Sequence, residues 1–170
     1  MLDIDFDKGR WPGHWKRHAV KACQVAVAHS WAAALSGTEL QANISIKLAD
    51  DARVASLNGQ FRNKHKPTNV LSFPMMSADD LVQALRRPTQ LHAPQLMLGD
   101  IILARETCQA EAEAMDIPLA DHYQHLIAHG VLHLLGYDHV DDAQALEMEQ
   151  IERAICAELG IHDPYRDALD

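Results

Sequence analysis

The chain has 170 residues, 48% of them hydrophobic, which is enough to bury one substantial core and rarely two, so one domain over residues 1–170 is expected. A formal net charge of -9 excludes an extended electrostatic nucleic-acid binder, which carries a basic excess over a whole face. Met1 to Arg10 is polar, and no apolar run approaches the ~20 residues of a spanning helix, so a cytoplasmic protein without membrane contact is expected.

Leu2, Ile4 and Phe6 alternate as a first strand should. Trp15 to Leu35 is alanine-rich and apolar at helical spacing, with Ser36 and Gly37 as its stop. Ala42, Ile44, Ile46 and Leu48 alternate as a second strand, and Asp50 or Asp51 can cap a short helix through Val54 and Leu57 that Asn58 and Gly59 end. Val70, Leu71 and Phe73 form a short strand closed by Pro74. After a loop holding Pro88 and Pro94, long enough to be a flap, a fourth strand runs from Leu96 to Leu103. Helices then follow from Glu106 to about Met115, Leu119 to Leu135, and Asp142 to Leu159. Four strands and about five helices predict an α+β (α/β-like) domain around a mixed sheet, with the helix ending at Leu135 central and largely buried. Cys23, Cys108 and Cys156 are odd in number and widely spaced, which fits reduced thiols.

The chemistry concentrates in His129 to His139, H-G-V-L-H-L-L-G-Y-D-H. His129 and His133 lie one turn apart on a helix face, and Gly136 lets the chain turn so that His139 can swing back. Three imidazoles with one coordination position open is the arrangement of a catalytic zinc, one ion per chain. Histidines recurring on one helix face also occur as core or surface residues. The burial expected for this helix favours the metal, because an unpaired buried ring costs free energy that a bound cation removes. The motif lacks the glutamate that follows the first histidine in zinc peptidases: position 130 is glycine, there either for close packing or for space above the metal. Asp138 can orient an imidazole or cap the turn. Arg62 to Lys66 is the densest basic run, and by composition alone it reads as a solvated loop.

The run His129 to His139 resembles the signature of the YbeY family of metal-dependent endoribonucleases, which act in ribosomal RNA maturation. Asn58, Phe61, Arg62 and the stretch Pro67 to Pro74 are similar to a second motif of that family, Leu98 to Ile101 to a third, and Glu147 to Glu149 to its C-terminal helix. The resemblance implies that His129, His133 and His139 bind zinc and that Arg62 lines the cleft as a catalytic residue, where a guanidinium can grip two phosphate oxygens. It further implies single-stranded RNA, ribosomal RNA above all, as substrate, and the ribosome or ribosome-associated proteins as partners. Asn69 and His65 depart from the aspartates common in the family, and His125 is assigned a supporting role. Two other readings stay open. A zinc hydrolase of another substrate class would need a carboxylate base such as Asp100 or Glu147, and a ribosome-associated assembly factor would use its metal structurally.

Overall fold

The computed structural model describes residues 2–7, 11, 13–37, 40–62, 66–86 and 95–166. Its elements run β1 (Leu2–Phe6), α1 (Gly13–His29), a 3-10 turn (Ala33–Gly37), β2 (Gln41–Ala49), α2 (Asp51–Arg62), β3 (Val70–Pro74), α3 (Ala78–Arg86), β4 (Gln95–Ala104), α4 (Arg105–Ala114), α5 (Leu119–Leu134) and α6 (Asp142–Leu159). The sheet order is β1-β2-β4-β3. β1 with β2 and β2 with β4 are parallel, whereas β3 runs antiparallel to β4 along the edge. This is the α+β mixed sheet that the alternating segments predict.

Side chains alternate across a strand, so β3 and β4 present different residues to the helices on each side. On one face, Ile101 of β4 and Ser72 of β3 meet Gly130 of α5. On the other, Leu71, Ile102 and Ala104 pack with Val54 of α2, and Leu57 and Phe73 border that cluster. The main core lies on the α5 face, where α5 buries Leu126, Ile127, Ala128, Val131, Leu132 and Leu134 against α1, α6 and the sheet. β4 carries one extra residue, Leu98, between the pairs Asn43–Met97 and Ile44–Gly99. That bulge shifts the phase of the inward residues, from Leu96 and Leu98 to Ile101 and Leu103, all buried.

The structure departs from the sequence expectations at three helix ends. α1 stops at His29, because the Ser30 hydroxyl donates to the Val27 carbonyl (2.7 Å) and accepts from the Ala32 N–H (3.1 Å), closing the helix six residues before the expected stop at Leu35. α2 runs on past Asn58 and Gly59 to Arg62. Asn58 is buried and its amide donates to the Lys66 carbonyl at 2.7 Å, so it ties down the following loop instead of ending the helix. α3 occupies the start of the stretch expected to be loop. Its signal is Ser77 three residues before Asp80: the Asp80 N–H donates to the Ser77 hydroxyl (3.1 Å), which donates to the Asp80 carboxylate (2.7 Å). Pro88 and Pro94 lie outside the described residues. The three cysteines are free and buried, and burial pushes each thiol up to about 12. No described helix is long and apolar enough to cross a membrane.

Gly99 has φ +145°, and a Cβ there would stand 2.2 Å from the Phe73 carbonyl oxygen on the paired strand. Gly99→Ala should therefore lower stability by at least ~2 kcal/mol, read as a reduced urea midpoint, because neither backbone can yield without breaking the edge pairing.

Candidate metal centre

α5 carries His129 and His133 one turn apart near its C-terminal end. The helix closes with a paired cap, in which the Gly136 N–H donates to the His133 carbonyl (3.0 Å) and the Tyr137 N–H to the Leu132 carbonyl (3.0 Å). Gly136 sits at φ +89°, where a Cβ would stand 2.9 Å from the Ala78 Cβ, so the sharp turn needs glycine. Beyond it the chain folds back. The His139 ring comes to 5.2 Å from that of His133 and 6.0 Å from that of His129, and one nitrogen from each of the three lies within 4.8 Å of the others. His129 and His133 are half-buried and His139 is exposed.

The second nitrogens decide what this cluster can hold. His133 Nδ1 lies 3.0 Å from the Tyr137 carbonyl oxygen, which can only accept, so Nδ1 carries the proton. His129 Nδ1 lies 2.8 Å from a Glu152 oxygen. Burial pushes the Glu152 pKa up, but hydrogen bonds from His125 and His129 outweigh it and hold the carboxyl well below its ordinary range, so this oxygen also accepts. In the neutral form a ligand takes, a ring with its proton on Nδ1 leaves Nε2 free to bind, and the two Nε2 atoms lie 3.0 Å apart. A tetrahedral ion at about 2.0–2.1 Å sets its ligands ~3.3 Å apart, close to that separation. The donor set therefore fits a divalent metal. Burial, then the neighbouring His129 and His139 rings, pushes the His133 pKa down from 6.5 to about 4, so the ring is neutral at neutral pH, as a ligand must be.

His133 and His139 line a cleft of about 450 Å³ together with Gly136, Tyr137 and Asp138 and with Ser72 and Pro74 of β3. Asp138 lines the cleft and accepts the His139 N–H at 2.8 Å, so it caps the turn that presents the third imidazole. Tyr137 accepts the Trp31 N–H on its hydroxyl (3.0 Å) and anchors the same turn to the end of α1. A Cβ on Gly130 would meet Ile101 at 3.0 Å and Ser72 Oγ at 3.1 Å, so the glycine is there for close packing of helix on sheet. Asp100 and Glu147, the bases a peptidase-like reading would need, lie elsewhere. Asp100 lines a groove on the α2 face with Lys47 and Phe61, and Glu147 is exposed on α6.

Arg62 is the last residue of α2; its side chain lies outside the described residues, as do Asn63, Lys64 and His65. His125 does not join the three-histidine cluster. Its Nε2 donates to Glu152 at 3.1 Å. Glu152 itself is absent from the sequence reading, although a signal exists: Met148, Ile155 and Cys156 are buried at helical spacing, and Glu152 puts a charge in that apolar stripe. Asn69 has a local reason as well. Its amide donates to Glu111 (3.0 Å), whose carboxylate also meets the buried His122 at 2.8 Å, so an aspartate at this position would oppose carboxylate to carboxylate.

Three convergent imidazoles beside an open cleft on an α+β domain are the make-up of a metal-dependent enzyme. A family model described as Endoribonuclease YbeY matches residues 14–160. The endoribonuclease YbeY of Rhizorhabdus wittichii is 48% identical over 151 residues, covering 89% of this chain and 87% of its own, and that of Sphingopyxis alaskensis is 45% identical over 159 residues, covering 92% of each. A Thermotoga maritima protein solved in solution shares the fold at 20% identity, with a TM-score of 0.52 over 96% of this chain and 98% of its own. The chain belongs to the endoribonuclease YbeY family.

Metal binding and protonation should both be visible in stability. A divalent metal at about a thousandfold above its Kd should add about 4 kcal/mol to unfolding, and His133→Ala should abolish that gain. In metal-free protein the unfolded chain takes up a proton on His133 near 6.5 that the folded chain accepts only near 4. Stability should thus fall as pH drops through that window, and His133→Asn should flatten the decline in urea melts at about pH 7 and about pH 5. An unchanged slope would mean that burial of His133 is not its source.

Proposed function

We propose that this protein is a zinc-dependent endoribonuclease that cuts single-stranded RNA, with ribosomal RNA as substrate and the ribosome or ribosome-associated proteins as partners. The observation that carries the reading is the convergence of one nitrogen each from His129, His133 and His139 within 4.8 Å, beside an open cleft that His133 and His139 line, in a chain of this family.

A bound zinc ion supplies Lewis acidity, polarising a phosphate oxygen and acidifying water. The chain supplies the rest. His129 and His133 are held by their Nδ1 hydrogen bonds, so they offer their Nε2 atoms without rotating. His139 closes the third side from a turn that Asp138 and Gly136 hold in place. A cleft of about 450 Å³ is of a size to take part of an unstacked strand, which supports single-stranded RNA as substrate. Arg62 is the phosphate-gripping residue: it ends α2 just before the segment that leads into β3, the strand bordering the cleft. Its planar fork would neutralise charge that builds on the phosphate as phosphorus is attacked.

The net charge of -9 gives the chain a weak intrinsic hold on RNA. It supports delivery to the substrate through protein contacts, so an assembly role and a nuclease role are compatible.

The test is cleavage of a single-stranded ribosomal RNA fragment by metal-quantified protein. Wild type should carry about one zinc and cut. His133→Ala should lose both ion and cleavage, and Arg62→Glu should keep the ion yet cut at least ~100-fold more slowly, the loss typical of one transition-state donor. Cleavage that persists in both variants would overturn the nuclease assignment and leave the assembly role.

A further inference from the structure

Among the described residues Glu152 is the one buried carboxylate, 1% exposed on the inner stripe of α6. A bare carboxylate there would be costly, and both of its oxygens are used. Oε1 accepts from His129 Nδ1 at 2.8 Å and from His125 Nε2 at 3.1 Å, and Oε2 accepts from the Tyr165 hydroxyl at 2.5 Å.

Tyr165 is itself placed with care. Gly160 ends α6 at φ +69°, and the following residues fold back along the helix. The Tyr165 N–H donates to the Asp163 carboxylate (2.8 Å). Arg153 donates to the Tyr165 carbonyl (3.2 Å) and lies 5.6 Å from the centre of its ring. The segment after the last helix thereby delivers a phenol to the carboxylate behind His129.

An apolar side chain of similar size would fill this position without any desolvation cost, so the carboxylate is explained by what it touches. It touches the nitrogen of His129 that faces away from the cluster. A carboxylate on the distal nitrogen of a metal-binding imidazole fixes tautomer and ring orientation and makes the ligand more basic.

We propose that Glu152 is a positioning residue for the metal centre, and that Tyr165 is the latch by which the C-terminal segment holds it there. The inference rests on the reading of His129, His133 and His139 as metal ligands. Glu152 keeps the His129 proton on Nδ1 and aims Nε2 at the metal, and Tyr165 keeps Glu152 from rotating away.

The full chain is prepared metal-free and titrated with zinc against a chromophoric chelator, for wild type, Glu152→Met, Glu152→Gln, Tyr165→Phe and His133→Ala. Glu152→Met, which is similar in shape and cannot accept the proton, should weaken zinc binding about 10–100-fold. Glu152→Gln, which keeps an acceptor oxygen, and Tyr165→Phe should each weaken it several-fold. Long-range proton–nitrogen NMR of the metal-free chain should show His129 protonated on Nδ1 in wild type and a mixture of tautomers in Glu152→Met. Should Glu152→Met fail to fold, Glu152→Gln and Tyr165→Phe carry the test. A purely scaffolding Glu152 would lower melting temperature while the folded variants bind zinc within about twofold of wild type with an unchanged tautomer; that result, with binding lost in His133→Ala, overturns this inference alone. Wild type that takes up no zinc overturns the metal-site reading along with it.

Discussion

The close approach of α5 to the sheet at Gly130 is the contact on which the rest of the molecule depends. With no side chain at that position, the helix lies directly on Ile101 and Ser72, between His129 and His133 in the chain. A bulkier residue would lift the end of the helix away from β3. The cleft is lined by Ser72 and Pro74 of β3, the antiparallel edge strand, and by His133 and the turn that follows α5.

Polar groups inside this core are arranged in donor–acceptor series. Asn69 donates to Glu111, which meets His122; His125 and His129 both donate to Glu152, which accepts in turn from Tyr165. Each buried charge has its partners, and the two series enter α5 from different helices, α4 and α6. The consequence for chemistry is directional. The Nδ1 atoms of His129 and His133 both hydrogen-bond away from the cluster, so their Nε2 atoms are the ones that face each other. The free energy of ordering these rings is met by folding, before any ion arrives.

Sequence patterns and structure agree most closely where period and chemistry coincide. All four expected strands are present, the first two read from alternation and the other two from short apolar stretches, and α5 and α6 end within a residue or so of their expected bounds. The disagreements share a cause: a polar side chain whose partner is local and whose role depends on geometry. Ser30 turns back on its own helix to end α1 early, Asn58 holds a loop while α2 continues past it, and Ser77 pairs with Asp80 to start α3. A serine or asparagine in a sequence can cap, break or anchor, and its letter does not say which.

The sequence by itself determined the mixed α+β class, the three histidines, and the need for a turn at Gly136, because periodicity, ligand spacing and a left-handed backbone position are local properties. Only the tertiary structure decided the rest. It resolved the purpose of Gly130 as packing, since its neighbours come from β3 and β4. It moved Asp100 to the α2 side of the sheet, a consequence of strand alternation after the bulge at Leu98. It brought Glu152 and Tyr165, 23 residues beyond His129 in the first case, to the back of the histidine cluster. Contacts between elements far apart in the chain leave almost no periodic trace, and here that trace was a single glutamate in an apolar stripe.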